Sequence, residues 1–235
     1  MKRLNRWVYA IVGVIVLLFA GLVYAWSVMA KTIGASRPSW TAAQLSLTFT
    51  IVMAFFCIGV MIAGMLSKKV KPNLYVILAG VLFLAGFMLA GTTGDSPAML
   101  YIGYGVLGGL GSGFAYSAVM STMSAWFPDK QGLISGILLM GFGLSAFIVG
   151  KVFAAVAPPD GTEAWKGTFR ILGIIICVVF VVCSFFFVRP DKDFVPPTAA
   201  KKKQSREPAL DINTGAMLKQ PSFWFYYIWA TLISG

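Results

Sequence analysis

Residues 7–29 read WVYAIVGVIVLLFAGLVYAWSVM, an apolar run without a single charged residue. A helix needs about 20 such residues to cross a hydrocarbon core of roughly 30 Å, and a run this long is too extended for a buried strand. Met1-Lys2-Arg3 ahead of it and Val28-Met29-Ala30 at its end have the outline of a secretory leader. The apolar core of a leader spans only about 7–15 residues, so the stretch reads as a retained first helix. Five further runs satisfy the same criterion: Ala42 to Leu66, Leu74 to Ala90, Met99 to Met123, Leu133 to Ala157 and Phe169 to Val188. The expected fold is all-α and integral to the membrane, a bundle of six transmembrane helices over residues 1–188.

Composition agrees. Of 235 residues, 58% are hydrophobic and 11% charged, against roughly 45–50% and about 25% in a soluble domain. A net charge of +11 would suggest nucleic acid in a soluble protein. Position decides otherwise. With the N-terminus placed inside, segments 1–6, 67–73, 124–132 and everything from Arg189 onward hold 14 of the 19 basic residues, leaving Lys31, Arg37, Lys151, Lys166 and Arg170 outside. That asymmetry predicts a multi-pass protein of the cell (inner) membrane with a cytoplasmic N-terminus. Its basic partners are then anionic lipid headgroups of the bilayer, not nucleic acid. Lys151 and Arg170 lie toward helix ends and read as snorkelling anchors.

No span carries Asp or Glu, and the chain has no His. This disfavours an intramembrane proton relay, and no metal, cofactor or nucleophile–base pair is expected, so the chain does not read as an enzyme. Cys57, Cys177 and Cys183 lie in apolar runs and read as small buried hydrophobes.

After Val188 the composition shifts. Residues 189–221, with Pro190, Pro196, Pro197 and Lys201-Lys202-Lys203, read as a basic cytoplasmic linker. A new apolar run, Phe223-Trp224-Phe225-Tyr226-Tyr227, continues to Gly235. Residues 222–235 therefore read as the truncated start of a seventh helix, reaching about 20 Å where about 30 Å is needed.

Gly103-Tyr104-Gly105-Val106-Leu107-Gly108 fits a dinucleotide fingerprint, but it lies inside an apolar helix without the strand or acidic residue that motif requires. Gly105, Gly109 and Gly113 instead suit close helix packing. With Gly136 on the fifth helix, they predict that helices four and five pack tightly. Trp40, Gln44 and Thr48 form one stripe on helix two. Tyr24 and Ser27 on helix one, and Ser112 with Tyr116 on helix four, complete a polar set. Gln44 is the most demanding member, since an amide in hydrocarbon must find a partner. Together these residues predict a pocket between helices one, two and four, lined with aromatics and hydrogen-bond donors but no charge.

Six helices, a basic linker and a seventh helix resemble the N-terminal half of a major facilitator superfamily transporter. Gly64-Met65-Leu66-Ser67-Lys68-Lys69 falls where that superfamily carries its G-x-L-A/S-D-R/K loop, with Gly64, Leu66, Ser67 and Lys69 matching and Lys68 replacing the usual Asp. Tyr24-Ala25-Trp26-Ser27, Trp40 with Gln44, the Gly105–Tyr116 run, Trp126–Leu133 and Gly141-Phe142-Gly143-Leu144 resemble the oxalate/formate antiporter family over nearly the whole chain. The resemblance implies exchange of small carboxylate anions by alternating access, with Tyr24, Trp40, Gln44 and Phe142 lining the substrate cavity. It also implies cationic groups in a missing C-terminal half or a second polypeptide, so that this half alone is inactive. The alternatives are half of a proton-coupled monocarboxylate transporter, and a six-helix membrane module or gene remnant without transport activity.

Overall fold

A computed structural model of the chain describes residues 5–67, 69–190 and 214–234. Six helices are long and apolar enough to span a membrane: α1 Arg6–Ser36, α2 Ala42–Leu66, α3 Pro72–Ala90, α4 Ala98–Trp126, α5 Gln131–Val156 and α6 Ala164–Ser184. The all-helical six-span architecture is as expected, and α2 has the bounds read from the sequence. α1 runs on past Met29 to Ser36, while α6 is displaced toward the N-terminus from the expected Phe169–Val188.

Two helices are irregular. α1 tightens into a 3-10 turn over Gly21–Ala25, and α4 opens with a π-helical stretch over Tyr101–Gly108. Hydropathy sees neither, because both stretches are as apolar as regular helix.

Packing follows the small residues. A Cβ at Gly109 would lie 2.6 Å from the Val52 carbonyl oxygen, and one at Gly113 would lie 2.5 Å from that of Phe56. The stripe on α4 therefore brings it backbone to backbone against α2. This corrects the expected pairing with α5. Gly136 has nothing within 4 Å and packs on no neighbour, whereas Gly141 of α5 meets Val14 of α1. Gly86 of α3 and Gly103 of α4 touch through their carbonyls, and Gly80 sits against Phe180 of α6. On α2 only Thr48, Val52, Gly59 and Ala63 are buried, a narrow seam that leaves the rest of the helix facing outward.

Each end of the bundle is tied by polar contacts. At the end bearing the N-terminus, Arg6 donates to both carboxylate oxygens of Asp129, at 2.6 and 3.0 Å, and its guanidinium lies 4.7 Å from the Phe127 ring centre. Trp126 Nε1 donates to the Val188 carbonyl at 2.8 Å. At the opposite end Arg37 pairs with Asp95 and Glu163, and Trp165 Nε1 donates to Ser36 Oγ at 2.7 Å. Arg170 donates to the Gly91 carbonyl at 2.9 Å, and the Lys151 ammonium sits 4.2 Å from the Phe147 ring.

Most of the expected linker, residues 191–213, lies outside the described residues. The remaining elements, described by themselves, are α7 Thr214–Leu218 and α8 Pro221–Ser234. Trp224 Nε1 donates to the Leu218 carbonyl at 2.9 Å, linking them. The apolar helix starts at Pro221, one residue before the 222 read from the sequence.

Candidate functional site

Phe142 of α5 is the hub of an aromatic cluster. Its ring meets Tyr24 edge-on at 5.3 Å, Tyr116 at 5.4 Å and Phe56 at 6.0 Å, and Phe56 in turn meets Tyr116 at 5.6 Å. Such pairs contribute about 0.5–1.5 kcal/mol beyond the area they bury. The cluster draws one residue from each of α1, α2, α4 and α5. Glycine permits the approach: Gly21 lies directly on the Phe142 carbonyl, where a Cβ has no room.

The cluster walls a cavity of about 370 Å³ that Cys57, Val60, Met61 and Leu139 complete. A second cavity, of about 470 Å³, is lined by Trp26, Ser27, Ala30, Leu45, Ser46, Phe49 and Thr50, with Tyr24 common to both. Among the described residues, no charged side chain lines either. Tyr24 is 45% exposed and Phe142 4%, so the phenol projects into open space against a fixed ring. Among the described residues, neither the Tyr24 nor the Tyr116 hydroxyl has a hydrogen-bond partner.

The α1 turn that presents Tyr24 is held by α4. Ser112 Oγ donates to the Ala20 carbonyl at 2.6 Å, and the Tyr104 hydroxyl to the Leu22 carbonyl at 2.8 Å. A carbonyl released by irregular backbone must be satisfied inside the protein at membrane depth, and these two hydroxyls do that. Trp26 Nε1 donates to the Leu45 carbonyl at 3.0 Å, joining α1 to α2. Ser121, Thr122 and Ser184 bond to carbonyls of their own helices, at 3.2, 2.7 and 2.6 Å.

Of the four residues assigned to the cavity from sequence, the structure brings Tyr24 and Phe142 together and places the other two elsewhere. Gln44 lies in the first turn of α2 and closes a capping box: its Oε1 accepts the Thr41 amide at 2.8 Å, while Thr41 Oγ1 accepts the Gln44 amide at 3.2 Å. It is a helix cap near the end of the span, not an amide stranded in hydrocarbon. Trp40 precedes α2, is 7% exposed, and donates from Nε1 to the Asp95 carbonyl at 2.7 Å. Both therefore belong to the polar cap at the Arg37 end. Phe56 and Cys57 line the cavity but were missed. Cys57 is exposed, not buried as expected.

That cap carries shifted carboxyls outside the spans. A hydrogen bond from Lys166, with Arg37 close by, holds the Glu163 carboxyl below the usual carboxylate range, and hydrogen bonds from Thr162 do the same for Asp160. In the G-x-L-S-x-K loop, Gly64 has open space around it, Leu66 faces outward, and the Ser67 carbonyl accepts from Arg189 Nη2 at 2.6 Å. Lys69 borders a separate cavity with Lys71 and Arg189, and Lys68 lies outside the described residues.

Six apolar helices span the bundle, and four of them contribute to an uncharged aromatic cavity. Residues 8–235 match the profile of the Major Facilitator Superfamily, and the chain belongs to that family. It is 30% identical to an oxalate:formate antiporter of Oxalobacter formigenes over 98% of its own length and 52% of that protein's. It is 27% identical to an uncharacterized MFS-type transporter, YhjX, of Escherichia coli, over 94% of this chain and 52% of the other. Similarity to monocarboxylate transporter 13 of Rattus norvegicus is 28% over 60% of the chain and 30% of that protein. The chain thus spans about half the length of the first two relatives.

Proposed function

We propose that the chain is the N-terminal half of a transporter that exchanges small carboxylates, oxalate and formate among them, by alternating access. One observation carries the reading: the uncharged cavity around Phe142, with the free phenol hydroxyls of Tyr24 and Tyr116 on its wall. Similarity to the oxalate:formate antiporter over nearly the whole chain supports the substrate class. Tyr24 and Tyr116 donate to the carboxylate, and Phe142 and Phe56 form the apolar wall.

An anion entering such a site loses several kcal/mol of hydration. Two hydrogen bonds to a charged group, at about 1.5–3 kcal/mol each, offset part of that and leave the charge in place. The balance requires cations from a further set of helices, so this half does not transport alone. The surplus of basic residues in segments 1–6, 67–73, 124–132 and from Arg189 onward supports a cytoplasmic N-terminus in a multi-pass protein of the cell's inner membrane.

Reconstitution tests this. Liposomes containing only this chain should show no exchange of oxalate for formate, whereas a version completed by six further helices should. Exchange by the chain alone refutes the half-transporter reading, and no transport by the completed protein favours a non-transporting module. The second reading, proton-coupled monocarboxylate transport, draws on the similarity to monocarboxylate transporter 13. Lactate or pyruvate uptake by the completed protein, driven by an imposed pH gradient without counter-substrate, would favour it.

A further inference from the structure

At the end of the bundle bearing the N-terminus, a cavity of about 400 Å³ lies between the start of α3 and the end of α6. Lys69, Lys71 and Arg189 surround it, with Pro72, Asn73 and Phe187 beneath. Among the described residues, no acidic side chain lines it and neither Lys69 nor Lys71 has an ion-pair partner. Arg189 is held in place by donating from Nη2 to the Ser67 carbonyl at 2.6 Å. Phe187 is fully buried and forms a fixed floor.

The backbone adds to the same field. α3 is a 19-residue helix whose N-cap is Lys71, with no side-chain cap and Pro72 in its first turn. A helix N-terminus attracts anions, and its amides are donors for phosphate oxygens. A lysine there opposes the helix dipole and is locally unfavourable for folding. Two lysines, an anchored guanidinium and an uncapped helix N-terminus thus point at one cavity, an arrangement that an anion would relieve.

We propose that this cavity binds a phosphate-bearing anion, and that its occupant is the headgroup of an anionic phospholipid. The lipid source follows from the two helices that flank the cavity. Leu74 and Leu78 of α3, Val182 of α6 and Phe185 just after it are all exposed apolar side chains, Phe185 with 78% of its surface exposed. Acyl chains lie against these exposed residues while the phosphate sits among the cations. Clustered cations near a membrane surface attract anionic lipid by about 1 kcal/mol each. The assignment is independent of what the aromatic cavities carry.

The test uses the full chain in phosphatidylcholine nanodiscs containing a minor fraction of phosphatidylglycerol, with retained lipid counted by native mass spectrometry. The chain should retain phosphatidylglycerol over phosphatidylcholine, and the K69Q/K71Q variant should lose about thirty-fold in apparent affinity. The single variants should lose about five-fold each and serve if the double variant is not recovered. K31Q/K151Q removes the same charge at the other end and should leave retention unchanged. Equal loss in both double variants would overturn the site in favour of general attraction to a basic surface. Titration of inorganic phosphate into lipid-free chain in neutral detergent separates the sources. Weak phosphate binding beside tight phosphatidylglycerol retention supports the lipid assignment, and phosphate binding as tight as the lipid's and dependent on Lys69 and Lys71 assigns the site to free phosphate. Retention that neither single nor double variant alters refutes the proposal.

Discussion

Alanine placed along the α4 glycine stripe and at Gly136 of α5 should change sign with position. Replacing glycine by alanine inside a helix gains about 1 kcal/mol of propensity, and overpacking costs about 1–3 kcal/mol. At Gly113 the new Cβ would stand 2.5 Å from the Phe56 oxygen, 2.8 Å from the Val60 nitrogen and 3.0 Å from the Gly59 carbonyl carbon, all backbone. Ordinary contact begins at 3.4 Å, so α2 must retreat by about 0.9 Å, a shift that no side-chain rotation can absorb. The upper half of the overpacking range applies, and G113A is expected to lose about 1–2 kcal/mol net, or about 2–8 °C in thermal midpoint for a chain of this size. G109A meets the Val52 oxygen at 2.6 Å and should follow closely; G105A meets the Ile51 Cγ2 at 2.8 Å and Cβ at 3.3 Å, a stiff β-branched side chain but not backbone, and should lose less than G113A. G136A meets nothing within 4 Å and should be neutral or stabilising by up to about 1 kcal/mol. Heating detergent-purified protein and following the monodisperse fraction by tryptophan fluorescence orders the four. A G136A loss equal to that of G113A, or a silent G113A, would refute the α2–α4 contact.

Removing either hydroxyl that caps the α1 turn, by Y104F or S112A, should cost about 0.6–1.7 kcal/mol by the same assay, the range of interhelical hydrogen bonds in membranes; no change would mean the carbonyls are satisfied otherwise. The depressed Glu163 carboxyl favours the folded state above its ordinary value of 4.5, and that contribution is lost as pH falls through the lower folded-state value. E163Q should therefore be less stable than the parent at pH 6, with the gap closing toward pH 3; a pH-independent gap would refute the assignment. In a completed transporter, Y24F and F142L should weaken carboxylate affinity by ten-fold or more, about 1.4 kcal/mol, while W40A and Q44A should lower the thermal midpoint and leave affinity within about two-fold. Equal affinity losses in all four would return Trp40 and Gln44 to the cavity.

The six spans were legible because bilayer thickness fixes how long an apolar helix must be, and nothing in a soluble fold imitates six such runs. The glycine stripe was legible as a contact but not as a pairing. Spacing of four says that a backbone approaches closely; it does not say whose, because each apolar run presents hydrophobic residues all round. The misplacement of Gln44 had a signal available. Thr41-Ala42-Ala43-Gln44 is a capping box in sequence, and a glutamine three residues after a threonine at the head of an apolar run is more economically a cap than a ligand donor. Trp40, one residue earlier, goes with it. Phe56 carried no signal, since one phenylalanine in an outward-facing helix looks like any other. The breaks in α1 and α4 were not legible because no proline marks them, and glycine at positions 21, 103, 105 and 108 reads equally as close helix packing.

Those two breaks form one unit. At the 3-10 turn of α1 the Ala20 and Leu22 carbonyls accept from α4, from Ser112 beyond its π-helical stretch and from Tyr104 within it. Irregular backbone persists at membrane depth only where protein buries it or a cavity lies beside it, and here both hold: the carbonyls point into α4 while Tyr24, on the same turn, faces the cavities. α1 cannot straighten or rotate at this level without breaking both hydrogen bonds, at a cost of about 1–3 kcal/mol. A ligand that binds about 10- to 150-fold more tightly to one arrangement than to the other supplies that much free energy. On the proposed reading, a small carboxylate held by the Tyr24 hydroxyl contacts the very turn whose conformation sets this balance. The aromatic wall and the capped kink are then coupled, so S112A is expected to alter carboxylate affinity in a completed transporter although Ser112 lines neither cavity.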